Sequence, residues 1–91
     1  MGRGTRHTPE RLAEKLRDIR LALGLSQTEM LRRLGVEDFV SYHRISEYEL
    51  GKREPLLIVL LQYARVAGVH MEDIVDDKID LPAKLPKRSR K

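Results

Sequence analysis

The sequence predicts an all-α protein with one compact domain of five helices, for three reasons. Apolar residues recur at helical spacing near the start of the chain, at Leu12, Leu16, Ile19 and Leu23. No segment alternates apolar and polar residues as a half-buried strand does. Capping residues and glycines divide the chain into segments of helical length. With 91 residues and no cysteine, the chain can form one small aliphatic core without disulfides.

The first two helices are marked by residues that begin and end helices. Thr8-Pro9 predicts the start of the first helix, because threonine caps a helix and proline is tolerated at the first position. Gly24 is expected to end this helix as a C-cap. Ser26 and Glu29 have the spacing of a capping box, so the second helix is expected to begin there and to end at Gly35.

The third helix is predicted to span residues 42–50. Ser41 is a suitable N-cap, and Gly51 is expected to stop the helix. Helical spacing places Ile45 and Tyr48 on its inner side. The remaining side chains of this helix are therefore expected to face solvent.

Two further helices follow. Pro55 fits the first turn of a fourth helix over residues 56–67, which Gly68 ends. Leu57, Leu60, Leu61 and Ala64 are expected to form its inner face. A short fifth helix is predicted at 71–75.

The basic charge is concentrated in two tails. All 14 acidic residues lie between positions 10 and 80, whereas seven of the 18 basic residues lie outside that range. These are Arg3, Arg6, Lys84, Lys87, Arg88, Arg90 and Lys91. We expect a flexible basic arm at 1–7, a folded domain at 8–77 and an extended, mobile basic tail at 78–91. Basic arms attract nucleic acid, although they can also serve only to keep a protein in solution.

Many residues between positions 12 and 75 fall in the order and spacing of a known family. They are Gly24-Leu25-Ser26-Gln27, Glu29, Leu34-Gly35-Val36, Ile45-Ser46, Tyr48-Glu49, Gly51-Lys52-Arg53, Pro55, Gly68-Val69 and Glu72-Asp73-Ile74. This pattern resembles the lambda-repressor and Cro-like helix-turn-helix family, often called the Xre type. The resemblance implies a five-helix domain that binds double-stranded DNA, usually as a homodimer on a palindromic operator.

The start of the second helix is a candidate phosphate site. A helix N-terminus offers unpaired N–H groups, which suit a DNA phosphate, and Gln27 and Thr28 lie there. The resemblance implies that Gln27 contacts phosphate and also braces the recognition helix. The alternative is that Gln27 is an exposed glutamine without a partner.

The outward side of the third helix is the candidate base-contacting surface. It comprises Ser41, Tyr42, His43, Arg44, Ser46 and Glu47. The resemblance places Tyr42, His43 and Glu47 at base contacts, with Arg44 and Ser46 nearer the rim. Arg44 has the chemistry to bind guanine, and Glu47 can accept from cytosine. The alternative is an ordinary solvated helix face.

Two further pairs of residues belong to the predicted site. Lys52 and Arg53 follow the third helix, where they can neutralise phosphates or cap the helix carbonyls. The resemblance also implies a partly buried ion pair between Arg20 and Glu49, which would fix the third helix against the first.

The sequence departs from the family pattern in the turn between the second and third helices. Residues 37–40 form an extension of four residues, and Leu31 occupies a position where alanine is usual. We expect Phe39 and Val40 to cover the edge of the core. The extension leaves the predicted fold unchanged, but the angle at which the third helix meets DNA does not follow from the family pattern.

The fourth helix also departs from the pattern, because Leu56, Ile58 and Val59 add apolar groups. We interpret these three residues as a homodimer interface rather than as part of a fully buried helix.

These observations predict a sequence-specific, double-stranded DNA-binding transcriptional regulator. The expected form is a dimeric repressor that binds a palindromic operator through residues 42–50. The alternative is an antitoxin-type interaction module that binds a toxin and autoregulates its own operon.

Other classes of function have little support in the sequence. No catalytic motif, phosphate loop or cofactor motif is present, so neither an enzyme nor a cofactor is expected. His7, His43 and His70 lack ligand spacing, so no metal is expected. With neither a signal peptide nor a membrane span, we expect a cytoplasmic protein.

Overall fold

The computed structural model describes residues 7–86, and this part of the chain contains five α-helices and no strand. The helices are α1 (Leu12–Leu23), α2 (Gln27–Leu34), α3 (His43–Glu49), α4 (Leu57–Ala67) and α5 (Met71–Val75). The predicted all-α fold of five helices is confirmed. The predicted N-terminal arm, apart from His7, and residues 87–91 of the predicted tail lie outside the described residues.

All five helices contribute fully buried side chains to one core. These side chains are Leu16, Ile19, Met30, Ile45, Val59, Tyr63 and Ile74. Helix α1 contacts α3, α4 and α5, while α2 packs against α3 and α4. Since α3 touches both α1 and α2, its orientation depends on how well these helices pack.

Helix α2 begins and ends as predicted. The Ser26 hydroxyl accepts from the Glu29 N–H at 3.1 Å, and the Glu29 carboxylate accepts from the Ser26 N–H at 2.7 Å. The backbone hydrogen bond from Ser26 holds the pKa of Glu29 below its ordinary value. Gly35 closes the helix with φ +72°, a backbone conformation that glycine adopts without strain. The capping box therefore sets the start of α2 locally.

Helix α1 does not begin at Thr8-Pro9, so that prediction is wrong. Its first residue is Leu12, and the Thr8 hydroxyl donates to Glu54 at 3.2 Å. The Asp77 carboxylate meets the start of the helix instead, accepting from the N–H of Glu10 at 2.8 Å and of Arg11 at 2.9 Å. Asp77 thus takes the place of a local cap at the start of α1, although it lies 66 positions after Arg11 in the chain.

The predicted starts of α3 and α4 also need correction. Ser41 caps no backbone N–H in the described structure, and its hydroxyl lies 3.4 Å from Nε2 of His43. Tyr42 has the backbone angles of a helix (φ −62°, ψ −31°), and α3 itself begins at the next residue, His43. Pro55 is buried, while α4 starts at Leu57 after an extended Leu56. The turn before α4 is therefore one residue longer than expected.

Residues 76–86 contain no helix or strand, yet they pack against the domain. The backbone N–H of Arg11 donates to the Asp77 carboxylate at 2.9 Å, and its guanidinium donates to the Asp77 carbonyl at 3.0 Å. The same guanidinium pairs with Asp80 at 2.9 Å. Leu81 and Leu85 are partly buried against the core. These apolar contacts attach the predicted tail to the domain as far as Leu85, while its expected mobility stays a prediction. We call residues 76–86 the C-terminal segment.

The hydrogen bonds to Asp77 predict a pH-dependent contribution to stability. They hold the pKa of Asp77 below its ordinary value of 3.8, chiefly through the Arg11 N–H and then the Glu10 N–H. A lowered folded-state pKa stabilises the fold above the unfolded value, and this stabilisation is lost as the pH falls through the folded value. We expect Asp77→Asn to lower Tm at about pH 6 and the difference from wild type to shrink as the pH falls below 3.8.

The measurement is thermal unfolding by circular dichroism across this pH range, with Asp18→Asn as a control at an exposed position on α1. A Tm difference for Asp77→Asn that stays constant with pH would contradict the linkage.

Candidate nucleic-acid interface

The chain between α2 and α3 forms a hydrogen-bonded turn. The N–H groups of Phe39 and Val40 both donate to the carbonyl of Val36, at 3.1 Å and 2.9 Å. Val40 is buried, whereas Phe39 is 55% exposed. The expectation that both side chains cover the core is right for Val40 and wrong for Phe39. Leu31, which stands where the family pattern has alanine, is buried in the same core cluster as Val40.

Helix α3 presents a polar outward side, as its periodicity indicates. Ile45 is fully buried and Tyr48 is 4% exposed, so these residues fix the inner side. Tyr42, which is 69% exposed, and His43 project outward with their rings edge to face at 5.5 Å. Arg44, Ser46 and Glu47 are half-buried on the flanks. The predicted base-contacting residues therefore share one side of the molecule.

Glu47 joins two arginines that the sequence does not show to be paired. Its Oε1 accepts from Nη1 of Arg44 at 2.7 Å and from Nε of Arg53 at 3.2 Å. The hydrogen bond from Arg44, with the charges of Arg44 and Arg53, lowers the pKa of Glu47. The carboxylate is thus ionised and partnered at neutral pH.

The end of α3 is closed by backbone N–H groups. Gly51, at φ +75°, donates to the Tyr48 carbonyl at 3.2 Å, and Lys52 N–H donates to the Glu47 carbonyl at 2.9 Å. The side chain of Lys52 is exposed, while that of Arg53 contacts Glu47. The Arg53 side chain therefore lies beside α3, while Lys52 follows the end of the helix with its side chain in solvent.

Gln27 and Thr28 lie at the start of α2. Nε2 of Gln27 donates to Oε1 of Glu49 at 3.2 Å, so the alternative of a glutamine without a partner is wrong. Thr28 and Ser41 are exposed. The Gln27 contact ties the first turn of α2 to the last residue of α3.

Arg20 and Glu49 form a two-pronged ion pair between α1 and α3. Nε of Arg20 lies 2.7 Å from Oε2 of Glu49, and Nη2 lies 3.0 Å from Oε1. A third nitrogen donates to the Leu25 carbonyl at 3.0 Å. The side chains are only 13% and 4% exposed, and the Glu49 hydrogen bond raises the pKa of Arg20. This pair sets the position of the carboxyl end of α3.

Lys15 is a structural residue that the sequence reasoning missed. It is 1% exposed, and its ammonium donates to the carbonyls of Asp73, Asp76 and Ile79 at 2.8, 2.8 and 2.6 Å. A sequence feature could have revealed it, since Lys15 lies within the apolar stripe that contains Leu12 and Leu16. A lysine on that stripe must have carbonyl or carboxylate partners in the fold.

Helix α4 exposes an apolar patch that differs in membership from the predicted one. Leu56, Leu57 and Ile58 are 59%, 77% and 46% exposed, and we call these three residues the apolar patch. Val59 is fully buried in the core, so its predicted place in a dimer interface is wrong. Leu57, predicted to face inward, is instead the most exposed of them. The inner face is formed by Val59, Leu60, Tyr63, Ala64 and Ala67.

Two searches of the described residues gave no further site. No group of three or more His, Asp or Glu side chains in residues 7–86 is arranged to hold a metal ion. None of the helices described is both long enough and apolar enough to cross a membrane.

Two packed helices joined by a turn, with the second presenting exposed polar side chains, have the form of a helix-turn-helix unit. A helix-turn-helix family model matches residues 16–74, which is well over half of the chain, and the chain belongs to this family, of the Xre and lambda-repressor type. The predicted membership is confirmed. Proteins of this family bind double-stranded DNA. Comparison with curated proteins and with solved structures gave no match.

Proposed function

We propose that this protein is a sequence-specific transcriptional regulator that binds a palindromic operator as a homodimer. The observation that carries the proposal is the outward side of α3. There Tyr42 and His43 are exposed beside the half-buried Arg44, on a helix whose inner side is packed into the core by Ile45 and Tyr48. A helix held in this way can enter the major groove, where base edges display distinct donors and acceptors.

Arg44 is the residue best suited to select a base. A guanidinium can donate two parallel hydrogen bonds to guanine, which discriminates against other bases by about 1–3 kcal/mol. The aromatic rings of Tyr42 and His43 add polar and apolar contacts on the same side. Base preference is therefore concentrated in the first turn of α3.

Phosphate contacts would orient the domain on either side of α3. The first turn of α2 offers backbone N–H groups and the exposed hydroxyl of Thr28. Lys52 and Arg53 lie beyond the other end of α3. The basic residues near the chain ends add attraction that salt weakens.

Selection from a random duplex library by the full chain, at near-physiological salt, tests the proposal. We expect an enriched palindrome with half-sites about 34 Å apart, one turn of B-DNA. Arg33→Ala, which removes an exposed positive charge on α2, serves as the control and should select the same sequence. Sequence-independent recovery by the wild type would contradict base recognition by α3.

The apolar patch supports a dimer. It begins three residues after Arg53 in the chain, so pairing of two patches would bring the two turns that carry Lys52 and Arg53 towards each other. Exposed apolar groups that lie together favour association. An isologous pairing through this patch matches the two-fold symmetry of a palindromic site.

We expect Ile58→Glu and Leu57→Glu to give monomers, because each buries a charge in the proposed interface. Sedimentation equilibrium measures the state directly, with Leu21→Glu as a control at an exposed leucine on α1. Both side chains are exposed in the monomer, so folding should be retained. Persistent dimers would place the interface elsewhere. A wild type that is monomeric would favour the alternative, an antitoxin-type module whose apolar patch binds another protein.

A further inference from the structure

We propose that Glu47 is a positioning residue that holds Arg44 for base recognition, rather than a residue that itself recognises a base. This inference rests on the proposed function. It starts from one atom, since Oε1 of Glu47 accepts from Arg44 at 2.7 Å and from Arg53 at 3.2 Å. The carboxylate thus links the first turn of α3 to the chain beyond the end of that helix.

The pairing restricts the Arg44 side chain while leaving its donors available. Only Nη1 of Arg44 is used, and this side chain makes no other hydrogen bond within the described residues. A guanidinium carries five N–H donors in a rigid plane, so one edge stays free for a base. An arginine held in place before binding loses less conformational freedom on binding.

The charges around Glu47 favour this role. Glu47 lies between two guanidiniums, and the cluster of Arg44, Glu47 and Arg53 carries a net charge of +1. An unpaired carboxylate on this side of α3 would repel DNA phosphates. To accept from cytosine through Oε1, Glu47 would have to release an arginine. The geometry therefore favours arginine orientation over cytosine recognition.

Selection from the duplex library can separate the two roles. The variants of the full chain are Arg44→Ala, Glu47→Ala, Glu47→Gln and the double variant Arg44→Ala/Glu47→Ala. We expect Glu47→Ala to relax preference at the same base pair as Arg44→Ala, by about 5- to 10-fold. The double variant should be no more relaxed than Arg44→Ala, because the two residues act as one unit.

Glu37→Ala is the matched control, because it removes an exposed carboxylate from the turn before α3. Both Glu→Ala changes should strengthen binding to unselected DNA, since each removes a negative charge. Only Glu47→Ala should alter base preference. This difference separates the positioning role from a general charge effect.

Two outcomes would overturn the inference by itself: lost preference at a different base pair in Glu47→Ala, or full preference retained. Glu47→Gln keeps one acceptor oxygen, so its base preference is expected to lie between that of Glu47→Ala and that of the wild type. Failure of the wild type to select any sequence would instead overturn the proposed function, and this role with it.

Discussion

Replacing Arg20 with alanine is expected to destabilise the protein by about 3–5 kcal/mol, the usual cost of leaving one member of a buried ion pair without its partner. Glu49 is 4% exposed and would keep only the amide of Gln27 as a hydrogen-bond partner. A buried carboxylate that loses its charged partner is costly to keep away from water. Against a total stability of about 5–15 kcal/mol, the loss is large.

Urea unfolding followed by far-UV circular dichroism measures this loss. Arg17→Ala, an exposed arginine on the same helix, is the control and should cost little. The double variant Arg20→Met/Glu49→Leu should recover much of the stability, because no charge is left unpaired. A cost below about 1 kcal/mol for Arg20→Ala would show that solvent reaches Glu49.

We expect the ion pair to affect DNA recognition as well. It joins α1 to the last residue of α3, and Gln27 extends the same network to α2. The variant Arg20→Met/Glu49→Leu separates stability from recognition, since it should fold while lacking these polar links. We expect its affinity for the selected duplex to fall more than its affinity for unselected DNA.

Replacing Lys15 with methionine is expected to cost at least about 2 kcal/mol, because three backbone carbonyls lose a charged donor. Methionine preserves most of the buried stem, so the change removes hydrogen bonds rather than packing. The carbonyls of Asp73, Asp76 and Ile79 would be left without this partner in a partly buried position. The carboxyl end of α5 and the C-terminal segment should therefore unfold locally together.

Hydrogen exchange and urea unfolding together test this expectation. In Lys15→Met, the amides of α5 and of residues 76–79 should exchange faster than in the wild type. The amides of α2, where Lys15 makes no hydrogen bond, should exchange at the wild-type rate. Arg17→Met makes a comparable change on the exposed side of α1 and should leave exchange unchanged. Uniform exchange across the molecule would show that Lys15 does not hold the segment locally.

Local chemistry explains which parts of the fold could be predicted. The capping box of Ser26 and Glu29 and the glycine at 35 involve neighbours in the chain, so their pattern determines both ends of α2. The helical spacing of Ile45 and Tyr48 places both side chains on the inner side of α3 in the same way. The outward side of α3 follows directly from these two buried residues.

The remaining features depend on partners distant in sequence or on apolar runs without a phase. Asp77 caps α1 from 66 residues away, which no local pattern reveals. Residues 56–61 are all apolar, so periodicity cannot tell Leu57 from Val59, and packing against α1 and α2 decides which is buried. The pairing of Glu47 with Arg53 likewise depends on the path of the chain after Gly51.

The contacts of the C-terminal segment show that the folding unit is longer than the family module. The family match begins at residue 16 and ends at 74, so it excludes Lys15, Asp76, Asp77 and Ile79. During synthesis, the start of α1 therefore waits for almost the whole chain before its N–H groups find their acceptor. A fragment cut at the module boundaries would retain α2 and α3 but lack the contacts that join the start of α1 to the chain after α5.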